Sequence, residues 1–174
     1  MSHTKPLRTA GPLALAFVAA GAAGNTPTPP QSQTRSFHVA APCRLAMPLF
    51  TAEGERAWAP GWEPEILSGD GGRGSVFRTH AHGRETVWVV TDYQPEQGRA
   101  SYARLAQGSN MGLVDVRCED APGGSAVSVT YTLTGISPEG RAFVAEFMDA
   151  QAYTDFIREW EQAIAAHLKA RHGD

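Results

Sequence analysis

Two histidines with one residue between them are the first side chains whose type and spacing suit metal binding or proton transfer. His80 and His82 alternate along a predicted strand, so their side chains point the same way. Such a pair suits two metal ligands or proton transfer near neutral pH. No Cys or Glu accompanies them at a recognisable ligand spacing, and Gly83 follows immediately. We therefore favour a solvent-facing strand end at a hairpin and predict no metal site.

A second set of polar side chains lies on neighbouring predicted strands. Tyr102 and Arg104 share one phase of their strand, and Asp115 and Arg117 share one phase of the next. An arginine that points inward needs a buried carboxylate or an anionic ligand, because an unpaired buried charge is very costly. We favour the alternative, a cross-strand ion pair on the hydrated face. The other members of this set are Tyr93 and Tyr131.

One carboxylate and four large aromatic residues complete the candidates. Glu146 lies near Phe143 and Phe147, where an inward carboxylate could act as a general base, although we favour a solvated helix face. Tryptophans line ligand cavities as readily as they fill a core, and we favour core packing. Those of this chain are Trp58, Trp62, Trp88 and Trp160, the first two of which flank a Pro-Gly turn.

Several common catalytic motifs are absent from the sequence. It contains no Gly-x-Ser-x-Gly elbow, no His-Glu-x-x-His helix and no Cys-x-x-Cys pair. The Gly-rich segment 69–74 does not lead from a strand into a helix, so it lacks the context of a phosphate-binding loop and is interpreted as a turn. These absences remove the commoner hydrolase, zinc protease and redox signatures.

Composition indicates an ordinary globular domain. With 174 residues, the chain has the usual size of one domain and needs no metal or cross-link to build its core. The formal net charge is -3, and no basic run is interleaved with aromatic residues. Nucleic acid is therefore excluded as a partner.

The N-terminal part of the chain differs from the rest. Lys5 and Arg8 precede an apolar stretch at 12–24, too short to span a bilayer but suited to the core of a secretory signal. We interpret residues 1–24 as a signal peptide, against a mis-set start codon or a disordered tail. Residues 25–35, rich in proline and small polar residues, are predicted to form a disordered linker. Cleavage would place the protein in the periplasm or outside the cell; without it the protein is cytoplasmic.

The two cysteines allow two interpretations. Export would let Cys43 and Cys118 oxidise, but two cysteines far apart in sequence do not by themselves establish a bridge. We favour two buried free thiols.

Hydrophobic periodicity predicts an α+β domain over residues 36–174. A strand at 36–40 precedes a short helix at 43–50, bent at Pro48, and a helical turn that starts at Thr51. Short turns then separate strands predicted at 75–82, 85–94, 99–107, 111–119 and 125–136, which indicates an antiparallel meander.

A long C-terminal helix is predicted to cover this sheet. Asp149 is a candidate N-cap. Phe143 and Phe147 belong either to the same helix or to a preceding turn. Apolar residues recur at steps of three and four along one face: Tyr153, Phe156, Ile157, Trp160, Ile164 and Leu168.

This order of elements resembles the helix-grip superfamily of START lipid-transfer domains, birch pollen allergen-like proteins and polyketide cyclase/dehydrase-like proteins. The segments that carry the resemblance are 55–62 (ERAWAPGW), 74–77 (GSVF), 131–134 (YTLT) and Trp160-Glu161. The resemblance covers residue 36 to the end. It implies a curved antiparallel sheet wrapped around the long helix, with an apolar cavity between them for a small hydrophobic or amphipathic molecule.

Two functions follow as hypotheses. One is a non-catalytic binder or carrier that needs no cofactor. The other is a cyclase-, dehydratase- or isomerase-like enzyme, in which a pocket Tyr, His or carboxylate moves a proton. The predicted pocket residues are Trp58, Trp62, Phe77, Trp88, Tyr102, Arg104, Tyr131, Phe147 and Trp160.

Overall fold

The computed structural model describes residues 27–81 and 83–172. The predicted signal peptide, the first two residues of the predicted linker and His82 lie outside the described residues. No helix in the described part of the chain is long and apolar enough to cross a membrane.

Seven strands of the described chain form one antiparallel sheet in the order β1-β7-β6-β5-β4-β3-β2. The strands are β1 (Gln31–Val39), β2 (Glu65–Ser68), β3 (Val76–Ala81), β4 (Arg84–Gln94), β5 (Arg99–Ala106), β6 (Asn110–Ala121) and β7 (Gly124–Gly135). The helices are α1 (Cys43–Ala46), α2 (Ala52–Glu55), α3 (Pro138–Phe147) and α4 (Ala150–His172), with 3-10 turns at Met47–Phe50 and Pro95–Gln97. The α+β helix-grip architecture and the meander are therefore confirmed. Strand β2 was not predicted, because its Ile66 and Leu67 are both exposed and show no alternation.

Strand β7 shows how the sheet divides its two faces. Val127, Val129, Tyr131 and Leu133 are buried, while the Ser and Thr residues between them are half-buried. In β5, Tyr102 is buried and pairs with Val114 of β6, which is buried too. Alternate residues of β5, β6 and β7 thus form one inner face, which packs against α4.

The first strand begins at Gln31, five residues before the predicted start, so residues 31–35 belong to the sheet and not to a linker. Main-chain pairing with β7 does not require apolar side chains, and polar partners satisfy these residues. Ser32 and Thr132 lie within hydrogen-bonding distance (Oγ to Oγ1, 2.9 Å). Gln33 Nε2 donates to the Met148 carbonyl at 2.9 Å, and Arg35 Nε donates to Thr154 Oγ1 at 2.8 Å.

The cysteines correct another prediction. Cys43 of α1 and Cys118 of β6 form a disulfide with a Cα–Cα distance of 5.7 Å, so they are not free thiols. The Cys43 amide also donates to Asp120 Oδ1 at 2.7 Å, and Ser125 Oγ donates to the Ala41 carbonyl at 2.8 Å. These bonds fix the start of α1 against the ends of β6 and β7.

Helices α3 and α4 cover the inner face. Asp149 accepts from the amides of Gln151 and Ala152, at 2.9 and 3.0 Å, which confirms it as the N-cap of α4. Tyr153 is fully buried and donates its hydroxyl to the Val129 carbonyl at 2.9 Å. Helix α3 crosses so close to the β5–β6 turn that a Cβ on Gly140 would lie 1.7 Å from the Ser109 carbonyl oxygen.

Reduction of the disulfide is expected to lower the free energy of unfolding by about 4 kcal/mol, because the bridge closes a long loop in the unfolded chain. Urea unfolding of the oxidised protein, the reduced protein and the Cys43→Ala/Cys118→Ala double variant measures this. The reduced protein and the double variant should have similar stabilities. Two titratable thiols in the denatured, unreduced protein would show that the bridge does not form.

Candidate ligand-binding site

Three aromatic side chains are oriented by main-chain carbonyls of one short segment. Trp58 Nε1 donates to the Leu49 carbonyl at 2.7 Å, and Tyr102 Oη donates to the Phe50 carbonyl at 2.7 Å. Trp62 Nε1 donates to the Ala52 carbonyl at 2.8 Å. Because an aromatic donor without a partner is costly in the interior, these bonds hold each ring in one orientation. The segment from Leu49 to Ala52 therefore sets the shape of the space between sheet and helix.

A cavity lies between the inner face of the sheet and α4, and we call it the inner cavity. Its volume is about 20 Å³, enough for about one water molecule. The resemblance implied a larger apolar cavity, and the difference arises because aromatic rings fill the space. Phe50 packs 6.4 Å from Trp160, and Trp62 packs 5.9 Å from Trp88. The lining residues include Phe50, Glu55, Trp62, Phe77, Trp88, Tyr102, Tyr131 and Trp160.

Glu55, at the C-terminal end of α2, faces this cavity with no hydrogen-bond or ion-pair partner for its carboxylate among the described residues. Burial raises the pKa of Glu55 from its usual 4.5 to about 8. The carboxyl therefore holds its proton near neutral pH and can act as a hydrogen-bond donor or exchange a proton. Burial also raises the pKa of Tyr102 and of Tyr131, so both hydroxyls stay protonated.

An open groove adjoins the inner cavity, and we call it the tryptophan groove. It has a volume of about 440 Å³, within the range of small-molecule sites. All four tryptophans of the chain line it, and Trp58 packs 5.3 Å from Trp160. The groove and the inner cavity share five lining residues: Glu55, Trp62, Trp88, Tyr131 and Trp160.

A second open groove of about 610 Å³ shares Ala52, Phe77 and Tyr102 with the inner cavity. Tyr93 and the loop that contains Gly69 and Gly72 form part of its wall. Residues of the segment 51–62 line both grooves as well as the inner cavity.

Arg104 contradicts the preference for an ion pair on the hydrated face. It shares the inward phase of Tyr102, and its guanidinium carbon lies 5.2 Å from the centre of the Trp88 ring. Arg117 does lie on the hydrated face, 4.0 Å from Asp115 (Nη2 to Oδ1), but both belong to one strand. Asp115 also accepts from Ser101 Oγ at 2.5 Å.

The remaining polar candidates lie away from the inner cavity. His80 is exposed, with Nε2 3.4 Å from Glu85 Oε2, as the prediction of a solvent-facing strand end required. Among the described residues, no group of three or more His, Cys, Asp or Glu could hold a metal ion. Glu146 is exposed on α3, as predicted.

Six of the nine predicted pocket residues line the inner cavity, namely Trp62, Phe77, Trp88, Tyr102, Tyr131 and Trp160. Trp58 lines only the tryptophan groove. Phe147 packs 5.2 Å from Phe156 and 5.4 Å from Tyr131, in the layer between α3, α4 and the sheet. That these residues contact a ligand stays a prediction.

Sequence reasoning missed Glu55 and Phe50 as parts of this site. Helix α2 ends at Glu55, and Pro60 and Gly61 interrupt the chain before Trp62, so a turn and not a helical face places Glu55 beside the tryptophans. The sequence therefore offers no periodic signal for Glu55.

Glu55→Gln should be more stable than the wild type above about pH 8, with a smaller difference at about pH 5. The folded protein retains the Glu55 proton while the unfolded chain loses it above pH 4.5, so wild-type stability falls as pH rises between these values. The difference should grow by on the order of 2 kcal/mol. Urea unfolding of both proteins across this range measures it. Glu119→Gln is the matched surface control, and equal pH dependence of all three proteins would contradict the assignment.

Comparison with known proteins places this geometry in a family. Residues 30–167 match the family model described as "Polyketide cyclase / dehydrase and lipid transport". No curated protein sequence matches the chain significantly.

Solved structures share the fold at low sequence identity. Norcoclaurine synthase from Thalictrum flavum superposes with a TM-score of 0.61 at 14% identity, covering 95% of this chain and 98% of that chain. Ara h 8.0201 gives 0.58 at 16% identity, with 82% and 97% covered. A protein from Rhodobacter sphaeroides gives 0.59 at 19% identity, with 80% and 93% covered. These likenesses establish the fold, and the family match extends over most of the chain. The chain therefore belongs to the polyketide cyclase / dehydrase and lipid transport family.

Proposed function

We propose that the protein binds a small hydrophobic or amphipathic molecule between the sheet and α4. Its apolar part lies in the tryptophan groove, and a polar part reaches Glu55 at the boundary with the inner cavity. The observation that carries this proposal is the juxtaposition of four tryptophans around one open groove with a carboxyl that has no partner in the described part of the chain.

Core packing alone does not account for this arrangement. A side chain that serves only the core is apolar or fully bonded, because removing a carboxyl from water without a partner is unfavourable. Glu55 is half-buried and lacks a partner within the described residues, and Trp62 and Trp160 remain only partly buried beside it. A ligand with an apolar body and a polar group would cover the rings and hydrogen-bond the carboxyl. The family description, which names polyketide-processing and lipid transport proteins, supports the same class of ligand.

A neutral fluorescent probe tests this proposal directly. N-phenyl-1-naphthylamine should bind saturably and accept excitation energy from the tryptophans around the groove. Ala163 is half-buried on α4 and lines the groove, so Ala163→Phe should fill it and weaken binding by about tenfold or more.

Ala165→Phe is the matched control, because Ala165 is exposed on the same helix. It should bind the probe as the wild type does. Absence of saturable binding, or equal binding by both variants, would contradict the tryptophan groove as the binding site.

A second candidate is favoured by the acidity of Glu55. A carboxyl with a pKa of about 8 beside two protonated tyrosines is suited to moving a proton in a cyclase-, dehydratase- or isomerase-like reaction. In this case the groove binds the substrate and Glu55 exchanges the proton. The family description includes cyclases and dehydrases as well as lipid transport.

Metabolite extract incubated with the protein in deuterated water distinguishes catalysis from binding. An enzyme should cause some compound to gain deuterium or lose one water, as measured by mass spectrometry. The activity should disappear in Glu55→Gln and persist in Glu119→Gln. An extract in which no compound changes would contradict catalysis and favour binding alone. Activity retained by Glu55→Gln would exclude this carboxyl as the proton-transfer group.

We also propose that the protein acts in the periplasm or outside the cell. The disulfide between Cys43 and Cys118 supports this, because such bonds persist in oxidising compartments and are rare in the cytosol. The apolar stretch at 12–24 supports export. Removal of the leader would show as a reduced mass of the protein purified from its host, and a full-length mass would contradict this proposal.

A further inference from the structure

Among the described residues, Arg104 Nε is buried without a hydrogen-bond partner and the guanidinium has no ion-pair partner. Arg99 Nε is also buried without a hydrogen bond, but it lies 3.7 Å from Asp92 Oδ2. Arg78, by contrast, binds Glu65 and Glu85, and Arg35 donates to the Thr154 hydroxyl. Stacking on Trp88 satisfies the face of the Arg104 guanidinium but none of its N–H groups. The buried Nε therefore lacks an acceptor among the described residues.

Arg104 is half-buried, and a bound anion would complete its bonding. A guanidinium stays charged in proteins, so it cannot avoid the cost of burial by losing its proton. Burial lowers the pKa of Arg104, in line with the loss of hydration at this site. A bound carboxylate would supply the missing acceptors and the missing negative charge.

Arg104 opens onto a groove of about 640 Å³ between α3 and the sheet, which we call the arginine groove. Arg84 lies in the same groove, and its Nη1 donates to Ser109 Oγ at 3.1 Å. Asn110 Nδ2 donates to the same oxygen at 2.9 Å, which leaves the Ser109 hydroxyl proton available to donate. Asn110 Oδ1 is buried without a hydrogen-bond partner among residues 27–81 and 83–172. The floor of the groove thus offers two cations, a hydroxyl donor and one free acceptor.

The rim of the arginine groove limits the charge of the anion. Glu139 and Glu146, both exposed on α3, line the groove opposite the two arginines. The two arginines attract a negative charge that lies close to the Arg104 guanidinium. The two glutamates repel a second negative charge near the rim. Phe143, which is 39% exposed, adds an apolar wall. A monoanionic acid with an apolar body fits these surroundings better than a phosphate dianion.

We propose that the arginine groove binds the carboxylate of an amphipathic acid through Arg104, assisted by Arg84, and that the apolar part of the acid extends past Trp88 towards the tryptophan groove. Trp88 connects the two regions, because its ring stacks on Arg104 and also lines the tryptophan groove. This inference rests on the proposed function for the apolar part, and it specifies the class of the ligand. Arg104 acts as the residue that selects for an acid.

Two probes that differ only in the acid group test this inference. The fluorescent polyene cis-parinaric acid and its methyl ester are titrated into the full-length protein and its variants. The wild type should bind the acid about tenfold more tightly than the ester. Arg104→Met keeps an apolar stem on Trp88 but removes the charge, so it should bind acid and ester equally. Arg104→Lys should retain part of the preference, because it retains the charge.

Arg117→Met removes one positive charge from the hydrated face of the same sheet and should keep the wild-type preference. Equal binding of both probes by the wild type, or an acid preference retained by Arg104→Met, would overturn the inference. If the ester still binds in either of these outcomes, the proposed function stands although the inference fails. If neither the acid nor the ester binds, both the inference and the proposed function are rejected. Stronger displacement of the ester by dodecyl phosphate than by dodecanoate would assign the groove to phosphate and overturn the carboxylate assignment. The wild-type comparison does not depend on the folding of Arg104→Met.

Discussion

The hydrogen bonds from Trp58, Tyr102 and Trp62 to the carbonyls of residues 49–52 are the constraint on which the site depends. Each bond satisfies a polar atom that would otherwise be buried alone, and together they fix three rings around one short piece of main chain. That piece is held by the disulfide at the start of α1 on one side and by the Thr51 cap of α2 on the other. The mouth of the inner cavity is consequently built from rigid parts, and Glu55 is positioned beside it without needing a bond of its own.

The two ionisable groups beside this framework, Glu55 and Arg104, lie in different grooves. Glu55 lies at the tryptophan groove and Arg104 lies at the arginine groove, with Trp88 and Tyr131 between them. The two groups do not pair with each other, although an ion pair would lower the cost of burying both. Each is instead available to a molecule that enters from its own side. An amphipathic acid would place its carboxylate at the arginine end and an apolar or hydrogen-bonding portion at the protonated Glu55 end.

The sequence predicted the fold more fully than the site. Alternation and short turns located the meander, because both are local properties of the chain. The sequence also showed that Tyr102 and Arg104 lie on the same face of their strand. It did not show whether that face is buried, because the opposite face carries Leu105, which is apolar and yet 42% exposed. The disulfide joins residues separated by 75 positions, and only the packing of α1 against β6 in the folded protein brings them together. Polar residues 31–35 were assigned to a linker because their bonding partners lie more than ninety positions away.

Native mass spectrometry of the protein purified gently from its host tests the central claim most directly. The intact complex should carry a single class of small molecule, and its extraction should yield a compound with an extended apolar part and one carboxylate. Arg104→Met expressed in the same host should lose that compound, while Arg117→Met should retain it. A wild-type spectrum that contains only the unliganded chain, or a bound molecule without apolar surface, would contradict the view that these grooves serve a hydrophobic ligand.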